Sequence, residues 1–178
     1  VSRENPDRAR ELLVILANYF RYNLNNEAYM VPMADELEHV KDYLELEKAR
    51  FEEKLEIVYE VNGNLDIQVP TLILQPIVEN AIKHGVDKKG VRYVEILVQE
   101  NWEGLQVCIS DHGRGFPEEV LEKLKQEEAV GSSVGLLNVH KRMKSIYGED
   151  HGLNIVNTDQ GSRVELHFKK NISRGEGE

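Results

Sequence analysis

The feature that most constrains the fold is a series of short alternating apolar runs, which begins at Leu55 and continues in adjacent pairs. The runs that read as half-buried strands are 55–61, 92–100, 105–110, 153–157 and 162–169. The helical patterns between them are Pro70 to about His84, Pro117 to about Gln126, and about Val134 to Tyr147. A doubly wound parallel sheet needs a helix after every strand. Paired strands instead predict an α/β sandwich, an α+β fold whose mixed sheet carries its helices on one face.

Two helical patterns precede these strands. Residues 7–26 predict an amphipathic helix, because leucine and phenylalanine recur at three- and four-residue steps between polar residues. Such an apolar stripe has to be buried, and a partner subunit is the natural candidate. Val31-Pro32 interrupts the pattern, and a second helix is expected from about Ala34 to Lys54.

The composition is that of a globular domain with an acidic surface. Of 178 residues, 40% are hydrophobic and 30% are charged, and the formal net charge is -10. An acidic chain argues against nucleic-acid binding, which needs a basic surface, and against electrostatic contact with anionic membranes. It does not exclude a nucleotide, because Mg²⁺ and a few local donors can neutralise the phosphates.

Three smaller features concern the cellular compartment of the protein and the extent of the sequence. Cys108 is the only cysteine, so an intrachain disulfide is impossible; its alternating context predicts a core thiol, with a reactive thiol as the alternative. No apolar run approaches the roughly 20 residues that span a bilayer, and no signal peptide is visible. The sequence starts at Val1 in mid-pattern, which suggests a fragment of a longer protein and leaves room for an upstream membrane segment.

The first motif with chemical meaning is Glu79-Asn-Ala-Ile-Lys-His-Gly85. On a helix, Asn80, Lys83 and His84 share one face. An asparagine oxygen suits Mg²⁺, which keeps several waters and takes phosphate oxygens, and a lysine one turn away can reach those phosphates. The alternative is a polar helix face whose final lysine and histidine interact with the helix dipole.

The second motif is Asp111-His-Gly-Arg-Gly115, directly after a predicted strand. Gly113 and Gly115 let the backbone approach a flat ligand closely, and the carboxylate at the strand end can accept from an exocyclic amine such as that of adenine. The alternative is a simple turn, since aspartate and glycine favour turns for conformational reasons.

The third motif runs from Gly131 through Ser133 and Gly135 to Leu136 and leads into a helix. Free backbone N–H groups and the positive helix end attract phosphate; the alternative is a flexible loop with a serine cap. The Lys-Ser/Thr pair of a P-loop is missing, and the segment does not form the strand–GxGxxG–helix unit of a dinucleotide fold.

In this order the three motifs resemble those of the GHKL ATPases, whose shared ATP-binding (Bergerat) fold occurs in sensor histidine kinases, gyrase, MutL and heat-shock chaperones. The resemblance narrows to LytS/YehU-type sensor kinases and covers about residues 7–170. The segments that carry it are Val31-Pro32, Glu36-Leu-Glu-His-Val40, Tyr43-Leu-Glu-Leu-Glu-Lys-Ala-Arg-Phe51, Leu74-Gln-Pro-Ile-Val-Glu-Asn-Ala-Ile-Lys-His-Gly85 and Gly135-Leu-Leu-Asn-Val139.

The resemblance implies a division of the chain. Residues 1–30 would be the second helix of a truncated dimerisation and histidine-phosphotransfer hairpin, and 31–54 a connecting helix. Residues 55–170 would form the histidine kinase-like ATPase domain, and 171–178 a disordered tail. Residues 116–131 would be a mobile lid over ATP.

The resemblance also implies roles for the motif residues. Asn80 would coordinate Mg²⁺, with Lys83 and His84 at the phosphates of ATP, and Asp111 would receive the adenine amine. The catalytic set would be Asn80, Lys83 and Glu79. The remaining cofactor-binding residues would be Gly113 and Gly115 at the adenine wall, and Gly131, Ser133, Gly135 and Leu136 on the phosphate side.

Two departures from the family pattern are informative. The position four residues before Asn80, where the gyrase-like hydrolases have a glutamate base, is Pro76, and this favours phosphotransfer over hydrolysis. The phosphoacceptor run His-Phe-Leu-Phe-Asn is missing, and none of the six histidines has its context. We therefore expect the fragment to bind nucleotide without phosphorylating itself.

The sequence is thus interpreted as the ATP-binding catalytic part of a protein histidine kinase. The whole protein would be a homodimer and a membrane-anchored bacterial sensor, with this part in the cytoplasm and a response regulator as partner. Two alternatives remain: a GHKL ATPase that hydrolyses ATP, and a non-catalytic module of the same fold that docks a partner.

Overall fold

The computed structural model describes residues 5–25, 29–128 and 134–170. Its centre is a five-stranded sheet in the order β2-β4-β5-β7-β6. The strands are β2 (Leu55–Asn62), β4 (Arg92–Glu100), β5 (Gly104–Asp111), β6 (Asn154–Asn157) and β7 (Ser162–Lys169). β2 pairs with β4 in parallel, and the other pairs are antiparallel. The expected mixed sheet and both expected hairpins are confirmed.

One face of this sheet is buried beneath helices. Alternate side chains of the central strands are almost fully buried and join the hydrophobic core: Val94, Ile96, Val98, Val107, Ile109, Val164, Leu166 and Phe168. Helices α3 (Gln75–His84) and α5 (Val134–Tyr147) add their apolar faces to the same core. The α/β sandwich expected from the sequence is therefore observed.

The N-terminal segment forms two helices, α1 (Pro6–Asn25) and α2 (Met33–Phe51), and α2 is followed by a 3₁₀ turn over residues 52–54. The α2 side chains Met33, Leu37, Val40 and Leu44 are buried in the core. The apolar stripe of α1 is not covered: Leu13 is 65% exposed and Leu24 79%. The leucine stripe is therefore exposed among the described residues, although Tyr19 and Tyr22 on α1 stack against His39 of α2.

The expectation that Pro70 opens a helix is wrong. Pro70 ends a three-residue strand, β3 (Gln68–Pro70), which pairs with β1 (Met30–Pro32) in a small separate sheet. Leu72 then takes a positive φ of 56°, which a helix does not allow. The proline in the first turn of α3 is Pro76.

The turn before α3 is held by a buried carboxylate on α2. Glu36 is 0% exposed and accepts the backbone N–H groups of Leu72, Ile73 and Leu74 at 2.6, 2.9 and 3.2 Å. The hydroxyl of Tyr22 on α1 donates to the same carboxylate at 2.8 Å. Since unpaired buried amides are costly, Glu36 fixes where α3 begins.

The remaining elements complete the expected order. A short helix, α4 (Glu118–Lys125), follows Pro117, and α5 stops before Gly148, whose φ is 107°. The proposed tail, residues 171–178, lies outside the described residues. Among the described residues, no helix combines the length and apolarity that crossing a membrane requires.

Candidate functional site

The second motif lies where β5 meets β7. Asp111 ends β5, is 7% exposed and pairs in register with Ser162, the first residue of β7. Its Oδ1 accepts the backbone N–H of Gly113 at 2.7 Å, and its Oδ2 accepts the hydroxyl of Ser162. The carboxylate is thus fixed in direction at the rim of the core, and carboxylate oxygens can each accept more than one hydrogen bond.

Three glycines bring separate backbone segments against Asp111. A Cβ on Gly85, at the end of α3, would lie 2.6 Å from Asp111 Cβ, and one on Gly161 would lie 2.7 Å from the nitrogen of Gly113. A Cβ on Gly113 would lie 2.8 Å from Gly85 Cα. Real side chains cannot be accommodated at such distances, so these glycines allow α3, β5 and the β6–β7 turn to meet.

A cleft of about 950 Å³ opens beside this junction. It is lined by Lys83, His84, Val86, Asp87, Lys88, Lys89, His112, Gly113, Arg114, Asp159 and Gln160. The lining has four lysine or arginine side chains and two aspartates, in a chain whose formal net charge is -10. The cleft is therefore locally basic, as the site of an anionic ligand should be.

A smaller concavity of about 360 Å³ adjoins this cleft and contains Asp111. The two share His112, Asp159 and Gln160. The imidazole of His112 stacks on Tyr93, with ring centroids 3.8 Å apart and an interplanar angle of 7°. His112, held by this stacking, thus lies where the two cavities meet.

The loop after α3 has its own anchor at the cleft edge. Oδ1 of Asp87 accepts the backbone N–H groups of Lys89 and Val91, each at 2.8 Å. The hydrogen bond from Val91 lowers the pKa of Asp87. Asp87 therefore stays ionised and keeps the loop that carries Lys88 and Lys89 closed on itself.

Only part of the first motif lines the basic cleft. Lys83 and His84 are exposed and line it, whereas Asn80, half-buried one turn earlier, and Glu79 do not. Oε1 of Glu79 accepts from Nε2 of Gln75 at 2.6 Å. The structure therefore brings Lys83, His84 and Gly113 together around the cleft and leaves Asn80 and Glu79 outside its lining.

The start of the proposed lid is held by an asparagine on β6. Oδ1 of Asn157 accepts the backbone N–H of Phe116 at 2.8 Å, and its Nδ2 donates to the carbonyl of Phe116 at 2.9 Å. A Cβ on Gly115, whose φ is 74°, would lie 2.7 Å from the same Oδ1. Gly115 is thus required for this close approach.

The third motif is only partly described. Gly131 and Ser133 lie outside the described residues. Gly135 is in the first turn of α5, where an added Cβ would be 3.5 Å from Pro76 Cβ. The Leu136 side chain is 2% exposed and belongs to the core, so any ligand contact there would come from its backbone.

Sequence reasoning missed several residues that build the site. Ser162 and Gly161 matter because of the register between β5 and β7, and Asn157 because β6 places it beside Phe116. The only sequence signal was the turn before β7. Pairing β5 with β7 would have been needed to place Ser162 opposite Asp111.

Two family models match the chain. Residues 66–172 match the family model described as histidine kinase-, DNA gyrase B-, and HSP90-like ATPase. Residues 1–55 match a family model described as histidine kinase.

Similar curated proteins are longer sensor proteins. The chain is 38% identical over 168 residues to the sensor histidine kinase YpdA of Escherichia coli, covering 93% of this chain and 29% of that protein. It is 37% identical over 174 residues to the sensor protein LytS of Oceanobacillus iheyensis, covering 92% and 29%. The chain thus spans under a third of the length of these relatives.

Solved structures share the fold at low identity. The catalytic domain of histidine kinase ThkA superposes with a TM-score of 0.59 at 19% identity, covering 79% of this chain and 95% of that one. ThkA in complex with the response regulator protein TrrA gives 0.58 at 18% identity, covering 95% and 50%.

Proposed function

Because this chain belongs to the family of histidine kinase-, DNA gyrase B- and HSP90-like ATPases, we propose that its basic cleft binds Mg·ATP as the catalytic part of a sensor histidine kinase. The whole protein would transfer the γ-phosphoryl group of ATP to a histidine outside this chain, for relay to a response regulator.

The observation that carries the proposal is the fixed carboxylate of Asp111. Its two oxygens are oriented by Gly113 N–H and the Ser162 hydroxyl, and spare lone pairs remain to accept an adenine amine. Gly113 and Gly115 would leave room for the flat base along this wall. An aspartate that only formed a turn would not need to be buried at a point where three glycines allow backbone segments to approach it.

The basic end of the cleft suits the phosphates. Lys83 and His84 would face them, and the backbone of the segment with Gly131, Ser133, Gly135 and Leu136 would close the phosphate side at the start of α5. Among the described residues, no group of three or more His, Cys, Asp or Glu side chains could hold a metal ion. By the family resemblance of its motif, Asn80 would be the protein ligand of Mg²⁺, with phosphate oxygens and water as the others.

Catalysis would come from positioning and charge neutralisation. Asn80, through Mg²⁺, and Lys83 would offset charge on the transferred group. Glu79, whose carboxylate accepts from Gln75, would act toward the acceptor imidazole. Pro76, one turn before Asn80, offers no base for water, and this supports transfer over hydrolysis.

The N-terminal helix supports the remaining parts of the proposal. The exposed side chains of α1, with Phe20 53% exposed, would pack against the missing hairpin helix and a second subunit in a homodimer. The chain would be the cytoplasmic portion of a membrane-anchored bacterial sensor. The response regulator would meet the whole protein, as TrrA meets ThkA.

Thermal unfolding with and without Mg·ATP tests the binding proposal. At about 100 times its dissociation constant, a ligand adds roughly 2.7 kcal/mol, or roughly 5–10 °C in melting temperature for a chain of this size. We expect this rise in the unaltered chain and its loss in Asp111→Asn.

Asp150→Asn is the matched control, since Asp150 is an exposed aspartate in the 3₁₀ turn after α5. It should keep the full rise. No rise in the unaltered chain at millimolar nucleotide would reject the proposal and favour a docking module. Steady-state turnover of ATP, without any acceptor, would favour the hydrolytic alternative.

A further inference from the structure

The side-chain amide of Gln75 joins α3 to both N-terminal helices. Its Nε2 lies 2.6 Å from the hydroxyl oxygen of Tyr19 on α1 and 2.6 Å from Oε1 of Glu79 on α3. Its Oε1 lies 2.7 Å from Nε2 of His39 on α2. A single residue in the first turn of α3 thus connects three helices.

The chemistry of the partners fixes the direction of each hydrogen bond. An ionised carboxylate only accepts, so the nitrogen of Gln75 faces Glu79. Its second hydrogen is donated to Tyr19, and its oxygen must accept from His39. Nε2 of His39 therefore donates a hydrogen to this oxygen.

His39 is a rigid support for this amide. It is 2% exposed, and its ring is sandwiched between Tyr19 and Tyr22 at centroid distances of 4.9 and 4.3 Å. Its Nδ1 has no hydrogen-bond partner among the described residues, and a hydrogen on Nε2 serves the contact with Gln75. The support holds Gln75 without competing for Glu79.

The carboxylate of Glu79 is consequently held on the α1 side of α3. Burial raises the pKa of Tyr19, and the negative charge of Glu79 raises it further, so the phenol stays protonated and accepts from Gln75. The cleft is lined farther along the helix, by Lys83 and His84, whereas the hydrogen bond from Gln75, which also donates to Tyr19, directs Glu79 toward α1.

We propose that Gln75 is a positioning residue that fixes the Glu79 carboxylate toward the N-terminal helices and thereby withholds it from water in the cleft. The inference rests on the proposed function. A histidine on a helix packed against α1 would meet Glu79, whereas a water beside the phosphates would find no base.

Freeing Glu79 should turn the chain into a better ATPase. In the reaction measured, water adds to the γ-phosphorus, the bond to the bridging oxygen of ADP breaks, and the freed carboxylate takes the proton from water. Gln75→Met removes both donated hydrogen bonds and keeps a good helix former. We expect kcat for hydrolysis to rise at least about fivefold, a small part of the roughly 10²- to 10⁴-fold of a well-placed base, with KM changed less than twofold.

Two further variants keep the test independent of folding defects. Gln75→Glu can still accept from His39 but cannot donate to Glu79, so it should raise kcat as well. Gln99→Met alters an exposed glutamine on β4 and should leave kcat unchanged. Adding Glu79→Gln to Gln75→Met should remove the increase. An unchanged kcat in both Gln75 variants, or an increase that survives without the Glu79 carboxylate, would overturn the inference.

The hydrogen-bonded unit can be checked without nucleotide. The ¹⁵N spectrum of the His39 ring should show the Nε2–H form in the unaltered chain and in Gln75→Glu, and a shifted Nε2 signal in Gln75→Met. An Nδ1–H form would reject the positioning role even if Mg·ATP binds normally. The expected spectrum without any Mg·ATP binding would instead reject the proposed function, and with it the catalytic meaning of the arrangement.

Discussion

The two ends of α3 are built on opposite principles. At the first turn, polar groups are joined to other helices: Glu36 accepts three backbone N–H groups, and Gln75 has three partners. At the last turn, Lys83 and His84 are exposed. Gly85 follows, and Asp111 lies so close to it that a side chain would not fit. The first end of α3 is held by hydrogen bonds, whereas the second end depends on exposed side chains and on the lack of a side chain at Gly85. Changes at the first end should therefore cost stability, and changes at the second should cost binding.

The largest effect is expected from Glu36→Ala. It leaves three amide donors and the Tyr22 hydroxyl without their acceptor in a buried site, and each such group costs roughly 1–3 kcal/mol. Allowing for partial relaxation, we expect a loss of about 3–5 kcal/mol in the free energy of unfolding, measured by urea titration.

The matched variant Glu36→Gln keeps the shape and one accepting oxygen. It should lose about 1–3 kcal/mol. A Glu36→Gln variant as stable as the unaltered chain would show that packing, and not hydrogen bonding to the carboxylate, makes this end of α3 stable.

An intermediate effect is expected from Gly85→Ala. The φ of −79° is negative, so alanine is not excluded by φ, but its Cβ would be 2.3 Å from the carbonyl oxygen of Ala81 and 2.6 Å from Asp111 Cβ. Overpacking of this kind costs about 1–3 kcal/mol, and displacement of Asp111 should abolish the Mg·ATP-dependent rise in melting temperature.

Gly148→Ala provides the contrast for this variant. Its φ of 107° strains alanine, yet the nearest heavy atom to an added Cβ is 4.0 Å away. We expect a stability loss of about 1–2 kcal/mol with nucleotide binding intact. Loss of binding in Gly148→Ala would mean that binding follows general stability and not the contact at Asp111.

The smallest effect on stability is expected from Lys83→Met. The lysine is exposed, so the free energy of unfolding should change by less than about 0.5 kcal/mol. Loss of a charge-assisted bond to phosphate should nevertheless weaken Mg·ATP binding roughly 10- to 100-fold, measured by calorimetry. Lys48→Met replaces an exposed lysine on α2 and should alter neither quantity. A stability loss in Lys83→Met but not in Lys48→Met would contradict the view that the last turn of α3 affects binding and not stability.

The sequence revealed most of the elements because their patterns are long. The nine-residue strand β4 and the fourteen-residue helix α5 repeat their periods often enough to be recognised. The three-residue strands β1 and β3 have no period to detect. Pro70 was misplaced for that reason, since proline suits a strand end as well as a helix start.

The candidate site was predictable in its motifs and not in its contacts. Asp111 and Gly113 lie close in sequence, and their spacing indicated a ligand wall. Ser162 lies 51 residues from Asp111 and meets it only through strand register. Likewise, Gln75 and Glu79 share a turn of α3, but the partners of Gln75 on α1 and α2 depend on helix packing that no local pattern encodes.

The paired bonds between Asn157 and Phe116 have a consequence for variation among relatives. They attach the backbone of Phe116 to β6 of the central sheet, and the chain returns to the core with α5, which begins at Val134. Between these anchors α4 is itself secured by the buried side chain of Leu124. Where a flexible loop is held at both ends, doubling its length costs only about 0.6 kcal/mol in closure entropy. We therefore expect related proteins to tolerate length changes beside α4 without disturbance of the sheet.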